Sequence, residues 1–332
     1  MREAPIITFG FKFVNRFGLP DSLIRKIGSV SRDGLILNDE IIFYRDIFKI
    51  ERHRNTIIVV LMPYSTVSKK LSKYFFKGYS TFVINIGGFA DEVQSIINRR
   101  ISSARIADSK LEMTEEEIKR NFKSINCPVC DANINLTELV PSVFIYCHYC
   151  ESVFDHYSNL IPGGKEYRIC PETGLFDRVK NYYEYQMYFN RYEFRFKLRK
   201  FFCGDTYVHF IFERNFWKNF SLLIGVLPTA IEKIRSTSNR NQNYPELVKA
   251  NIAALEGRIQ EVEFLFDQML MRNKNHPGLY LNLGIGYLEI EKKEKAGFNL
   301  KKALESCSNY QPALDLLWKH EPNFVKQDNV IY

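Results

Sequence analysis

Residues 34–62 read GLILNDEIIFYRDIFKIERHRNTIIVVLM. Short apolar or alternating runs at 34–37, 41–44, 47–51 and 56–62 are separated by Asn38-Asp39 and Arg54-Asn55. Runs rich in Ile, Val, Leu and Phe between turn formers predict consecutive β-strands. Working outward, a further run at 27–30 precedes the Arg32-Asp33-Gly34 turn, and another follows at 81–86. After Gly87-Gly88 the period changes. Phe89, Val93, Ile96, Ile97 and Ile101 fall at helical spacing, and Arg99, Arg100 and Arg105 load the C-terminal end, where the helix dipole favours cations. Residues 10–106 are therefore expected to be a set of strands closed by one helix.

This order, with Tyr44, Asp46 and Ile47 forming a Y-x-D-I turn, resembles the pleckstrin-homology-like superfold, including its GRAM-type members. The resemblance implies a β-barrel plus helix, and lipid headgroups or peptides as ligands, although fold alone does not fix function. Residues 68–78 (SKKLSKYFFKG) hold Lys69, Lys70, Lys73 and Lys77 with no acid, beside Tyr74, Phe75 and Phe76. They are the candidate contact for an anionic membrane or an acidic partner. The plainer expectation is a solvated loop whose aromatics tuck back onto the sheet. Residues 107–125 read as a helical linker. Thr114 and Glu117 form a capping-box pattern that starts a helix running to about Phe122.

The sharpest chemical signal follows, in INCPVCDANINLTELVPSVFIYCHYC. Cys127 and Cys130 form one C-x-x-C, and Cys147 and Cys150 form a second. Each pair places two thiolates on one turn, and two such turns at the ends of a short hairpin give four soft ligands for a tetrahedral ion. Four cysteines close the coordination sphere, so the expected zinc is structural and not catalytic. The pattern resembles the zinc-ribbon family, with a proline in the first knuckle and Phe154 after the second; residues 126–157 are its expected extent. His148 and His156 are expected to lie at the surface or behind the ligands. Cys170, Cys203 and Cys307 read as small buried hydrophobes.

Residues 160–214 read as an aromatic β-rich region. Between 176 and 220 there are 17 aromatics, too many to be incidental. Tyr183, Tyr185, Met187 and Phe189 alternate with polar residues, as do Phe194, Phe196 and Leu198, and the phase changes at Asn190-Arg191. Two amphipathic strands joined by a tight turn are predicted. An earlier hairpin is predicted around residues 171–174, and a further strand at 206–212. Residues 176–203 hold seven basic and three acidic side chains, which keeps a single-stranded nucleic-acid surface open as a reading; a solvated strand face explains the same pattern. Residues 215–243 read as a helix interrupted at Pro228, followed by a polar linker.

At the C-terminus EVEFLFDQML, starting at Glu261, aligns with KAGFNLKKAL, starting at Lys295, at an offset of 34. Tyr280, Leu283, Gly284, Tyr287, Ala296, Leu300 and Ala303 give residues 244–320 a resemblance to tetratricopeptide repeats. That resemblance implies a concave face for a protein or peptide, with Asn251, Leu255, Leu281, Ile285 and Leu288 as its lining.

The whole reads as a multidomain α+β protein: a PH-like β-barrel with helix, a zinc ribbon, a β-rich region and helical hairpin repeats. Of its side chains 45% are hydrophobic and 25% charged, which excludes a mainly disordered, collagenous or polytopic membrane protein. The net charge of +8 suits an acidic partner and demands none. No leader or membrane span is visible, so a cytoplasmic protein is expected, at the inner face of a membrane if residues 68–78 dock there. No P-loop, GxSxG, HExxH or GxGxxG occurs, so no small-molecule substrate and no enzyme is expected. The expected function is a non-enzymatic adaptor or scaffold that binds a protein through its C-terminal helices. Nucleic-acid binding and peripheral membrane binding are the two alternatives.

Overall fold

The computed structural model describes residues 6–15, 19–53, 55–63, 65, 68–76, 80–86, 90–137, 139–190, 193–220, 226–237 and 243–320. It is a mixed α+β chain whose contacts divide it into two units. One comprises Met1–Glu138 with Cys147–Cys150, the other Leu139–Tyr146 with Glu151–Tyr332.

The first unit is built on a seven-stranded antiparallel sheet: β1 (Ile7–Val14), β2 (Lys26–Val30), β3 (Gly34–Leu37), β4 (Glu40–Phe43), β5 (Ile47–His53), β6 (Thr56–Leu61) and β7 (Thr81–Asn85). Their order across the sheet is β4-β3-β2-β1-β7-β6-β5. Strand β1 was not among the predicted strands, although Phe9, Phe11 and Phe13 alternate with Thr8, Gly10 and Lys12 and are buried. The β3–β4 loop is the two residues Asn38-Asp39, with φ of 53° and 67°, a left-handed pair matched to the twist of a hairpin. A short helix α1 (Lys69–Ser72) lies between β6 and β7.

Helix α2 (Ala90–Leu111) lays Val93, Ile97 and Ile101 into the core and packs on β5 and β6. It extends past residue 106, where the sequence reading ended it. Arg105 donates to the carbonyls of Ile47 and Phe48, satisfying part of an edge strand. Helix α3 (Glu115–Asn121) begins with the predicted capping box: Thr114 Oγ1 accepts from the Glu117 amide, and the Glu117 carboxylate accepts from the Thr114 amide at 2.8 Å. Strands β8 (Ser124–Asn126) and β9 (Asn133–Asn135) then form a small hairpin.

In the second unit, β10 (Phe144–Cys147) pairs with β11 (Ser152–Asp155); Cys147 itself groups with the first unit. A three-stranded sheet contains β12 (Tyr167–Ile169), β13 (Phe176–Asn190) and β14 (Glu193–Gly204). The β13–β14 pairing runs from Val179 opposite Gly204 to Asn190 opposite Glu193, as the phase change at Asn190 predicted. Residues 206–212 are helical, contrary to the predicted strand. They open helix α4 (Asp205–Phe220), in which Val208, Ile211 and Phe212 bury one face at helical spacing. Helix α5 (Val226–Thr237) carries Pro228 in its first turn, where a proline is tolerated. The residues between these two helices lie outside the described set.

Five helices complete the unit: α6 (Leu247–Leu255), α7 (Ile259–Arg272), α8 (Pro277–Glu289), α9 (Lys293–Ser306) and α10 (Gln311–His320). Each packs against the next in the chain. Gly284 allows the close approach of α8 and α9, since a Cβ there would lie 2.9 Å from Leu300. Gly278 faces the Phe176 ring so closely that no side chain fits. None of the described helices is long and apolar enough to cross a membrane.

His276 caps α8. Its Nδ1 accepts from the Gly278 amide at 3.2 Å, and its ring is buried against Phe144 and Phe176. Burial lowers its pKa to about 3. The folded state therefore holds a neutral imidazole, while the unfolded chain takes a proton near pH 6.5. The stabilisation is complete above about pH 6.5 and declines by about 1.4 kcal/mol per pH unit below it, until the folded-state pKa is reached. Denaturant titration at about pH 7 and about pH 4.5 should show a larger acid loss for wild type than for His276→Asn, whose amide oxygen accepts without titrating. Equal losses would remove His276 as the cause.

Candidate metal centre

The two C-x-x-C segments become turns because a hairpin must reverse there. In the β8–β9 connection the Cys127 amide donates to the Ala132 carbonyl at 2.8 Å and the Asp131 amide to the Cys127 carbonyl at 2.9 Å. The Val129 amide points at Cys127 Sγ, 3.4 Å away. The residue after each second cysteine, Asp131 and Glu151, has φ near +60°, at 57° and 61°. The two knuckles thus share one backbone device.

Their four sulfurs converge within 4.8 Å of one another. Cys127 Sγ lies 3.6 Å from Cys150 Sγ, and Cys130 Sγ lies 3.7 Å from Cys147 Sγ. A disulfide needs about 2.05 Å, so these are not disulfides. An ion bound at about 2.3 Å from four sulfurs sits in a tetrahedron with edges of about 3.8 Å, close to the separations present. Cys127, Cys130 and Cys147 are buried and Cys150 is partly so. The cluster has the geometry to hold a metal ion. Hydrogen bonds from Cys130, Cys147 and Cys150 push the Cys127 thiol down, and Cys127 in turn pushes Cys147 and Cys150 up. Four close thiols lose their protons unequally until a cation joins them.

Helix α2 holds both knuckles through one face. Arg99 pairs with Asp131, Ser102 Oγ accepts from the Asn133 amide at 2.8 Å, and the Arg105 guanidinium lies over the Tyr149 ring at 5.5 Å. Sequence reading assigned Arg99 and Arg105 to the helix dipole alone. The i, i+3, i+6 spacing of Arg99, Ser102 and Arg105 is visible in sequence, but their partners are not. Two cations also suit a centre that four thiolates and a divalent ion would leave with a net negative charge. His148 is exposed and His156 approaches the Ser142 carbonyl at 3.4 Å; neither joins the four sulfurs.

Compared with protein-family models, curated proteins and solved structures, the chain matches none.

The other predicted site residues fall elsewhere. Asn251 and Leu281 are fully buried, and Leu255, Ile285 and Leu288 are half-buried. Asn251 and Leu281 are enclosed by the chain itself, whereas Leu255, Ile285 and Leu288 keep part of their surface. Asn251 Nδ2 donates to the Phe176 carbonyl at 3.1 Å. Leu281 packs in one cluster with Phe144, Tyr146 and Val153 of the β10–β11 hairpin. Asn282, which sequence reading passed over, accepts from the Phe176 amide at 2.7 Å and donates to its carbonyl at 2.8 Å.

Nearby, Asp177 caps α4 by accepting from the Thr206 amide at 2.8 Å. Burial, with Asp205 alongside, raises its pKa to about 7. Asp205 is buried and is met by Arg178 at 2.6 Å and by the Tyr182 hydroxyl. These pairings hold β13 to α4.

Lys70 and Lys73 are exposed. Lys69 starts α1, with its side chain outside the described residues, as is Lys77. Tyr74 stacks on Phe13 at 3.7 Å and Phe75 on Phe82 at 6.0 Å, so these two aromatics do tuck onto the sheet. The basic and aromatic side chains of residues 184–202 lie outside the described set.

Proposed function

We propose that the protein is a non-catalytic adaptor with a structural zinc ion, and that its first unit docks on an anionic membrane surface. The strand order and the helix after β7 support the pleckstrin-homology-like reading, and the paired helices with Gly284 at their contact support the tetratricopeptide-like one. Sulfur edges of 3.6 and 3.7 Å and an all-cysteine donor set favour zinc, with no open coordination position for chemistry.

One observation carries the docking assignment. In the β1–β2 connection Leu19, Leu23 and Ile24 are 61%, 96% and 81% exposed, and Ile27 at the start of β2 is 76% exposed. Backbone bonds hold them there: the Asn15 amide donates to the Leu19 carbonyl and the Asp21 amide to the Phe13 carbonyl, each at 2.8 Å. Lys12 Nζ donates to the Leu23 carbonyl at 2.5 Å. The lysine loop adjoins them, since Lys26 Nζ bonds both Asp21 at 2.8 Å and the Tyr74 hydroxyl at 3.0 Å. Arg25, Lys12, Lys26, Lys70 and Lys73 outnumber Asp21 and Glu40 around this end. Aliphatic side chains ringed by cations fit a bilayer interface, where apolar burial and about 1 kcal/mol per cation act together.

The test is flotation with vesicles of neutral lipid, with and without phosphatidylserine. Wild type should float with the anionic vesicles and come off as salt rises. Leu23→Glu with Ile24→Glu should lower the bound fraction by about tenfold, and glutamine at Lys69, Lys70, Lys73 and Lys77 should weaken the lipid-charge dependence. Equal flotation of the apolar variant and wild type would overturn the assignment.

A further inference from the structure

Arg105 belongs to the metal centre and to the seven-stranded sheet at once. Strand β5 is an end strand of that sheet, so its outer carbonyls face no neighbouring strand. Its pairing with β6 slips at Phe48. Ile47 stands opposite Leu61 and Lys49 opposite Val60, which leaves Phe48 over as a bulge. Arg105 Nη2 donates to the Phe48 carbonyl at 2.8 Å and to the Ile47 carbonyl at 3.3 Å. The Phe48 ring is 53% exposed, so packing of that ring does little to fix the bulge. The two bonds from α2 act where a ladder would.

The same guanidinium reaches the second knuckle. It lies over the Tyr149 ring, 5.5 Å from its centre, and that ring is buried. Tyr149 stands between Cys147 and Cys150, so the backbone that positions two of the four sulfurs also positions the ring. Arg99 and Ser102 hold the first knuckle to α2 through Asp131 and Asn133. Arg105 carries the second knuckle on to β5. Four thiols without a shared cation lose the common centre that fixes their turns, and Tyr149 then loses its fixed place under the guanidinium. Resting on the zinc reading above, we infer that Arg105 is a positioning residue through which metal occupancy of the four cysteines orders the Phe48 bulge on the free edge of the sheet. Linkage makes the coupling reciprocal: a ring held in place by Arg105 presents its flanking sulfurs to the metal, so loss of Arg105 weakens metal binding. A cation serving only the helix dipole or the charge of the centre would be replaceable by lysine. The role inferred here is not, because an ammonium has no planar fork to lie on a ring and donate sideways to two carbonyls.

Hydrogen exchange of the full chain, zinc-loaded and after chelation, tests it, with zinc affinity measured by competition against a chromophoric chelator. In wild type, exchange across Ile47–Lys49 should rise about tenfold when zinc is removed, together with exchange in β8 and β9. In Arg105→Lys, Ile47–Lys49 should exchange at the faster rate with zinc still bound and should not respond to chelation, while β8 and β9 respond as before. Its zinc affinity should fall by about tenfold. Tyr149→Leu, which removes the ring and leaves Arg105 in place, should uncouple β5 from zinc in the same way. Wild-type exchange at Ile47–Lys49 that ignores zinc removal, or an Arg105→Lys chain whose β5 follows zinc as wild type does, would overturn the inference while leaving the zinc reading intact. A wild type that takes up no zinc would overturn both.

Discussion

Cys130→Ser should abolish metal binding and release both knuckles from α2. The wild-type chain, purified without chelator, should carry one zinc per molecule by elemental analysis, and the variant none. The size of the effect follows from the site. Structural zinc in small cysteine modules contributes on the order of 10 kcal/mol of binding free energy, and the β8–β9 hairpin has only three residues in each strand, so little apolar area can replace it. With one sulfur gone, three close thiols remain in a buried place, each resisting the ionisation of the next. The Asn133–Ser102 and Asp131–Arg99 contacts then lose the geometry that the ion imposes. Hydrogen exchange should accelerate in β8 and β9 and across the middle of α2, while β1, β6 and β7 keep their protection. Cys307→Ser, at a buried cysteine outside the cluster, should leave the metal content unchanged. A metal-free wild type with the same exchange pattern would show that the four sulfurs meet without needing an ion.

The metal cluster was legible because its chemistry is local. Two C-x-x-C turns at a suitable spacing imply convergence before any tertiary contact is known, and the sulfurs do converge. Turns were legible for the same reason: Asn38-Asp39 and Thr114–Glu117 act through bonds spanning a few residues. The misread segment, TYVHFIF at 206–212, suits a strand by its β-branched and aromatic residues. It is helical because burial at Val208, Ile211 and Phe212 follows i, i+3, i+4, and because Asp177, almost 30 residues away, caps its first turn. Propensity lost to a tertiary contact that the segment itself does not contain. Strand β1 was lost differently. Its signal was present: three phenylalanines alternate with Gly10 and Lys12, and Asn15, Gly18 and Pro20-Asp21 follow as turn formers.

The helical face illustrates what periodicity omits. Asn251 stood at a position that repeat geometry turns toward a ligand, and a ligand is there: the backbone of Phe176, 75 residues away in the same chain. Asn282 was invisible to the repeat argument because it is offset from Asn251 by 31 residues and not 34. Repeat symmetry finds equivalent positions, and this grip uses two non-equivalent ones.

Asn282→Ala should therefore be among the most damaging single changes in the second unit. Asn282 is fully buried and makes three bonds: it accepts from the Phe176 amide, and it donates to the Phe176 carbonyl and to Asn251 Oδ1 at 2.7 Å. A typical net bond contributes about 1 kcal/mol, whereas a buried polar group left without a partner costs about 1–3 kcal/mol. Alanine deletes three bonds and orphans the buried Phe176 amide and Asn251 Oδ1. The Phe176 carbonyl keeps Asn251. The expected loss is about 3–5 kcal/mol, a large share of the stability of a domain this size. Asn251→Ala should cost less, since it leaves the Phe176 amide satisfied. The double variant should lose less than the sum, because the Asn251–Asn282 bond is counted in both single changes. Urea titration of the two single variants and the double completes the cycle. If Asn282→Ala cost no more than an exposed asparagine, or if the double loss were strictly additive, the two amides would not be acting as one clamp on β13.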